Sequence, residues 1–396
     1  MPNAYHWSCV NSEVAWSPRD GAQLVSFQDR LFLLGGWNQY AGEQTNLAGA
    51  GSFESEVCSE VWCSDDDGGN WTLATTAPWS GRHMHGAVVH NGHIWIVGAE
   101  NKTPDDVWKS RDGVNWERVA ATVPWQERGN QMVAVFDGAI WVMGGQAGAA
   151  GQTNFVADLK AGKSFPPAPP PLRDVWRTED GVSWELVTDK APWAPRGMVT
   201  GANGGVAVLD DCMWILGGGY VGTGGTTLSS LRYDLEQQPR LKTRLYHNDV
   251  WSSADGREWT CHLAEGEAPW PARSYHDTAV WDGKLWVLGG HRGIADHPDE
   301  VATDGNRNDV WYSADGERWE ELPNTPWSLR HACGVHVHRD ALFLAAGSAT
   351  TISAEQVELS KRDFTHRVES AWCPGDVWRL DRAAAAGVLD KLDSAD

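Results

Sequence analysis

One unit recurs six times along the 396 residues. It opens on Trp-x-x-Arg and runs through an apolar stretch to an aromatic residue and a pair of small residues. After an insert of variable length it closes on Val-Trp, Ser-x-Asp-Gly and a last Trp. Residues 79–116 show it at its shortest, with Trp79, Arg82, Trp95, Gly98, Asp106, Val107, Trp108, Ser110, Asp112, Gly113 and Trp116. A unit this small cannot bury its apolar side alone, so its copies must stack on one another. That requirement restricts the chain to repeat architectures.

The pairs are Trp16/Arg19, Trp79/Arg82, Trp125/Arg128, Trp193/Arg196, Trp270/Arg273 and Trp327/Arg330. The small doublets are Gly35-Gly36, Gly98-Ala99, Gly144-Gly145, Gly217-Gly218, Gly289-Gly290 and Ala346-Gly347, each three residues after Phe32, Trp95, Trp141, Trp214, Trp286 or Phe343. Alternating apolar residues rich in aromatics and β-branched side chains predict four short strands per unit, a to d. Ser-x-Asp-Gly between strands c and d is turn chemistry, since Asp bonds the turning backbone and Gly accepts positive φ. The sixth copy lacks its last Trp, and Trp7 stands nine residues before Trp16, where that residue would fall. The N-terminal strand is therefore expected to complete the last unit and close a ring, which removes open sheet edges. Repeat positions account for 22 of the 25 Trp; Trp281 falls at an a–b turn, and Trp37 and Trp372 fall in b–c connections.

Gly-Gly after an aromatic strand, then a Trp strand and a Pro-x-x-x-Arg link, resembles the Kelch-repeat β-propeller family over residues 7 to about 380. The resemblance implies an all-β fold: a six-bladed Kelch-type β-propeller with four antiparallel strands per blade, the last closed by the N-terminal strand. One domain is expected over 7–380, with blades at 19–73, 82–118, 128–186, 196–261, 273–321 and 330–380 plus 7–14. An Ala-rich tail follows at 382–396; this tail and 228–240 are the two stretches with helical character. Ser64-Asp65-Asp66-Asp67-Gly68-Gly69-Asn70-Trp71 also resembles the Asp box of sialidases, which is a structural turn.

The formal charge is −21, from 53 acidic and 32 basic residues, which disfavours nucleic acid and anionic membranes as partners. No apolar run of about 18 residues predicts a membrane helix, and residues 1–7 show no basic, then apolar, leader pattern. Seven irregularly spaced Cys do not suggest a disulfide framework. A cytoplasmic monomer is the expectation.

Antiparallel strands put the d–a links and b–c loops on one face, and that face carries every length variation. The six Arg begin strand a there. They are expected to line the central channel as ligand-binding residues for an anionic group, unless Glu60, Asp106, Asp174, Asp249, Asp309 and Asp376, which begin strand c, neutralise them as a structural ring. Trp37, Asn130 and Trp372 are further ligand-binding candidates. Residues that escape the repeat just after each Arg are candidates for pocket lining, namely Asp20, His83, His85, Asn130, Gln131, Ser274, Tyr275, His276 and His331; so are Trp37, Glu100, Gln146 and His291 after the doublets. The first functional expectation is a binding module for an acidic peptide or protein, or for an anionic, carbohydrate-like small molecule. The alternative is a small enzyme acting on an anionic sugar, mutarotase-, epimerase- or hydrolase-like, with His85, Glu100, Tyr275, His276 and His291 as catalytic candidates. No cofactor is expected. Glu300-x-x-x-Asp304-x-x-x-Asn308 is a weak divalent-metal candidate, similar to the Glu-x-x-x-Asp-x-x-x-His iron motif of Kelch-type nitrile-specifier proteins, with Asn308 at the His position. The Ser164–Pro171 run, rich in Pro, reads as a stiff lip or a ligand for a proline-reading domain.

Overall fold

Each unit folds as anticipated into four short antiparallel strands, and six such sheets stand around a common axis in a computed structural model of the chain. The structure describes residues 4–37, 57–98, 106–125, 128–147, 172–197, 205–221, 244–291, 305–351 and 370–383; no helix occurs among them. Residues 228–240, expected to have helical character, the run 164–171 and most of the tail lie outside the described residues. In blade one the strands are Gln23–Phe27, Arg30–Leu34, Glu60–Ser64 and Thr72–Thr76, hydrogen-bonded in that order. The innermost strands, Gln23–Phe27, Gly86–His90, Met132–Phe136, Val206–Leu209, Asp277–Trp281 and Gly334–His338, each contact the next around the ring. Between adjacent blades lie six apolar clusters, so the core is a set of seams.

Blade six closes as the missing Trp implied. Its sheet runs Tyr5–Asn11, Val377–Arg382, Ala341–Ala345, Gly334–His338, with Trp7 opposite Leu380. Trp7 meets Trp327 edge to face at 6.1 Å, the contact made in the other blades by Trp16 with Trp71, Trp79 with Trp116, Trp125 with Trp184, Trp193 with Trp259 and Trp270 with Trp319. These pairs stand at 74–89°, the arrangement that sets a ring's positive edge on its neighbour's negative face. Trp281 packs against Tyr5 and Trp286.

The doublets explain themselves through backbone angles. The first residue has φ near +60°, which Ala346 adopts at +61°. The second has φ of +100° to +107° in Gly36, Gly145, Gly218, Gly290 and Gly347, a region almost closed to residues with a Cβ. In each of these five copies the second residue donates its N–H across the seam to the carbonyl of the next Arg, as Gly36 does to Arg82 at 2.8 Å and Gly347 to Arg19 at 3.0 Å.

The six Arg are 0–2% exposed. Every one pairs with the acid that begins strand c: Arg19 with Glu60, Arg82 with Asp106, Arg128 with Asp174, Arg196 with Asp249, Arg273 with Asp309 and Arg330 with Asp376, at 2.6–3.0 Å. Each Nη1 also donates to the carbonyl of the first doublet residue. The same acids accept the indole N–H of the Val-Trp residue two positions on, at 2.7–2.9 Å. Burial alone would raise the carboxyl pKa of Asp249 and Asp309, but the bonds and charge of Arg196 and Arg273 outweigh it and hold both below the usual range. Removing one partner strands a buried charge. Asp249→Ala is expected to cost about 3–5 kcal/mol, and the double change Arg196→Leu, Asp249→Leu less than that. Urea unfolding of the two variants checks this.

Candidate functional site

Above the blades, on the loop-rich face, the chain forms a second tier of β-structure. In five blades the residue after the Arg pairs with the residue after the doublet: Asp20 with Trp37, Gly129 with Gln146, Gly197 with Gly219, Ser274 with His291 and His331 with Ser348. The doublet side then pairs with the residue three before the ring acid, as in Trp37 with Val57, His291 with Asn306 and Gly219 with Tyr246. Strand c in turn bridges to the next blade's Arg, His247 to Arg273 and Arg307 to Arg330. These pairings make a collar around the mouth of the channel.

Inside the collar, the residue two after the Arg turns left-handed in the five blades where it is described. Gly21, Met84, Asn130, Tyr275 and Ala332 have φ of +50° to +57°, a conformation that costs a residue with a Cβ of the order of 1 kcal/mol. Inter-blade bonds hold the turn: Met84 donates to Gly21, Gly21 to Ala332 and Ala332 to Tyr275, at 2.8–2.9 Å. The backbone here repeats while the side chains differ.

The structure sorts the candidates. It corrects the expectation that Arg19, Arg82, Arg128, Arg196, Arg273 and Arg330 present their charges to the channel for an anionic ligand. All six are buried beneath the collar and paired with the strand-c acids. Arg128 is representative: it is 2% exposed, and its Nη1 and Nη2 each donate to one oxygen of Asp174, at 2.7 Å. The physical reason is desolvation, since a guanidinium this deep needs a carboxylate beside it. The neutralised ring is the arrangement found. Trp37 packs its ring 5.2 Å from His83. Asn130 is 1% exposed, and its Oδ1 is buried. Trp372 pairs through its backbone with Ala349. Tyr275 and His291 are half-buried at the mouth, whereas His85 and His276 are wholly buried. His276 Nε2 donates to the Leu216 carbonyl at 2.7 Å, and Gln131 makes the like bond to Val97 at 3.1 Å, so this position caps the inner end of the preceding blade's strand b. His85 occupies the same position without a hydrogen bond at either nitrogen. Glu100, Glu300 and Asp304 lie outside the described residues. Asn308 donates to the Trp327 carbonyl at 3.0 Å, a structural bond like that of Asn248 to Trp270.

One corner, where blades five and six meet, brings several candidates together. The His331 ring lies 5.6 Å from Tyr275 and 5.4 Å from His291. His331 Nδ1 is 2.7 Å from Asn306 Oδ1, and Asn306 Nδ2 donates to the Ser348 carbonyl at 3.1 Å. Arg307 is half-buried beside them. The sequence reading passed over Asn306, Arg307 and Ser348. The usable signal was positional: Asn306 stands three before a ring acid and Ser348 one after a doublet, the two places that build the collar. Paired strands rise on both sides of blade five. In blade four Cys212–Val221 pairs with Arg244–Ser253 beyond the doublet, out to Val221 opposite Arg244; in blade six Ser348–Thr351 pairs with Ser370–Trp372.

His247, Asp249 and Glu265 gather donor atoms within 4.8 Å on this face. Asp249 there already holds Arg196 through both oxygens and accepts the Trp251 indole, so a cation would have to displace a guanidinium. The contact of His247 with Glu265, at 2.9 Å, is an imidazole–carboxylate pair of the kind an acid–base reading calls for; it sits on blade four, while the ring contacts gather Tyr275, His291 and His331 on blades five and six. All seven Cys are free, and no helix among the described residues is long and apolar enough to cross a membrane.

Compared with known proteins, the chain matches no family model and no curated protein. A six-bladed β-propeller is what its geometry establishes.

Burial lowers the pKa of four imidazoles in this region. It lowers His83 and His331 to about 4 and His276 to about 3, with the Arg273 charge adding to the effect on His276, and it holds His85 well below the ordinary value. These folded values lie under the unfolded one, about 6.5, so stability present above that pH is lost as pH falls from about 6.5 toward 4. The melting temperature should drop across that window. His85→Phe, which removes an imidazole without hydrogen bonds, should leave the pH 7 value unchanged or raise it and make the acid loss shallower. Asp277 behaves oppositely: burial pushes its carboxyl well up, with one oxygen bonded to the Cys333 N–H at 3.2 Å. Its stabilising effect is present below the unfolded carboxyl pKa and lost as pH rises through the folded value. Asp277→Asn should therefore remove a decline of the same melting curve that sets in as pH rises above the unfolded carboxyl pKa, about 3.9.

Proposed function

We propose that the protein is a non-catalytic binding module of the Kelch-type propeller kind its repeats resemble, taking its ligand at the loop-rich mouth of the channel. The observation that carries this reading is the collar. Its backbone repeats, which the fold requires, while the side chains on it differ from blade to blade, which the fold does not require. A rigid frame bearing variable side chains is the general form of a binding site.

The ligand this mouth suits is a carbohydrate-like small molecule. Aromatic rings at Tyr275, His291 and His331 offer faces for the C–H surface of a sugar, and the neutral imidazole of His331 offers a hydrogen bond without charge.

Tyr275→Asn tests the reading, because it installs the residue found at the equivalent place in blade three, Asn130, which holds the same left-handed turn. Screening by thermal shift against neutral, carboxylated and sulfated sugars and acidic peptides should give a rise in Tm with a sugar in the native protein. The variant should keep its own Tm within a few degrees and lose that rise. A rise that survives Tyr275→Asn and disappears on altering the a–b turns would place binding on the other face and defeat the reading.

A further inference from the structure

We propose that His331 Nε2 is the hydrogen-bond acceptor at the mouth that selects a ligand hydroxyl, its tautomer being fixed by a relay through Asn306 to the Ser348 carbonyl. This inference rests on the reading that the mouth binds a sugar-like ligand and names the atom that reads it.

The relay runs in one direction. The Ser348 carbonyl can only accept, so the Asn306 atom facing it at 3.1 Å is the NH2 group. That leaves the amide oxygen facing His331 Nδ1 at 2.7 Å. An amide oxygen cannot donate, so Nδ1 carries the proton. Burial keeps this imidazole neutral at pH 7, and a neutral ring has one N–H. Nε2 therefore holds a lone pair. It makes no hydrogen bond to any described residue, and it is not among the buried atoms lacking a partner. The ring is half-buried, flanked by Tyr275 and His291 at the mouth.

The contrast with His276 sharpens the argument. There Nε2 donates to the Leu216 carbonyl at 2.7 Å and the lone pair sits on a buried Nδ1. The two rings, in neighbouring blades, have opposite tautomers. Only the one at the mouth turns its lone pair outward. A ligand atom placed at His331 must bring its own proton, which a hydroxyl does and a carboxylate oxygen does not. The flanking rings suit the flat C–H face next to that hydroxyl.

Nitrogen-15 NMR of the full chain at pH 7, with labelled imidazoles assigned through His331→Phe, reads the tautomer directly. A proton on Nδ1 is expected; a proton on Nε2 overturns the proposal whatever binds. Titration calorimetry with glucose, galactose, glucuronic acid and galacturonic acid reads the contact. At least one should bind, and His331→Phe, which keeps a ring and removes the acceptor, should weaken it about tenfold or more, the equivalent of one lost hydrogen bond. Unchanged affinity in His331→Phe overturns the role of Nε2 while leaving the mouth as the binding site. If none of the four sugars binds the native protein, the sugar-binding reading fails and the role of Nε2 falls with it, even with the tautomer as expected.

Discussion

Everything in this propeller hangs on a buried guanidinium that is used in several directions at once. Blades share no strand pairing within their sheets and meet through packed side chains, short links and a few backbone bonds at the loop-rich end, so something must fix where each innermost strand begins. Arginine does this six times. In five blades its Nε bonds the carbonyl two residues back in the link, at 2.8–3.3 Å. In all six its Nη atoms reach the end of strand b and the acid of strand c, and in five blades it lies over the ring of the Trp three positions earlier. In five blades its own carbonyl takes the N–H of the preceding blade's doublet. A lysine has no planar fork of five donors and could not satisfy these partners together.

This interaction also decides the electrostatics of the mouth. A ring of six cations would be a strong anion site, and the same ring with six acids in contact is close to neutral. Among the described residues, the corner where blades five and six meet shows aromatic faces, an amide and the imidazole of His331, which burial keeps uncharged, a surface suited to discriminating by hydrogen-bond direction.

The sequence made the blades legible because fold-determining residues recur at fixed offsets. Trp7 could be assigned to the last blade by its offset from Trp16 alone. Both members of each Arg–acid pair, Arg128 and Asp174 among them, were legible in the same way. Whether they met was a matter of distance, and composition carries no distances. The collar was illegible for a related reason. Its pairings join residue 20 to 37 and 307 to 330 through backbone atoms, so they impose no residue type and leave no pattern. Tyr275 and His331 were noticed as departures from the repeat, but Asn306 was not, because an Asn near the start of strand c looks like loop chemistry until its amide is seen to orient an imidazole.

The left-handed turns inside the collar show why such a mouth can vary without loss of the fold. A tyrosine at φ +50° is strained, and an isolated strained residue would relax. Here Ala332 donates to the Tyr275 carbonyl, Gly21 to Ala332 and Met84 to Gly21, so one turn cannot unwind without breaking its neighbours' bonds. Gly, Met, Asn, Tyr and Ala all occupy the same conformation because the ring, and not the residue, holds it. The fold is thus specified one layer down, by the guanidiniums and indoles, and the layer above is left to the side chains that meet a ligand.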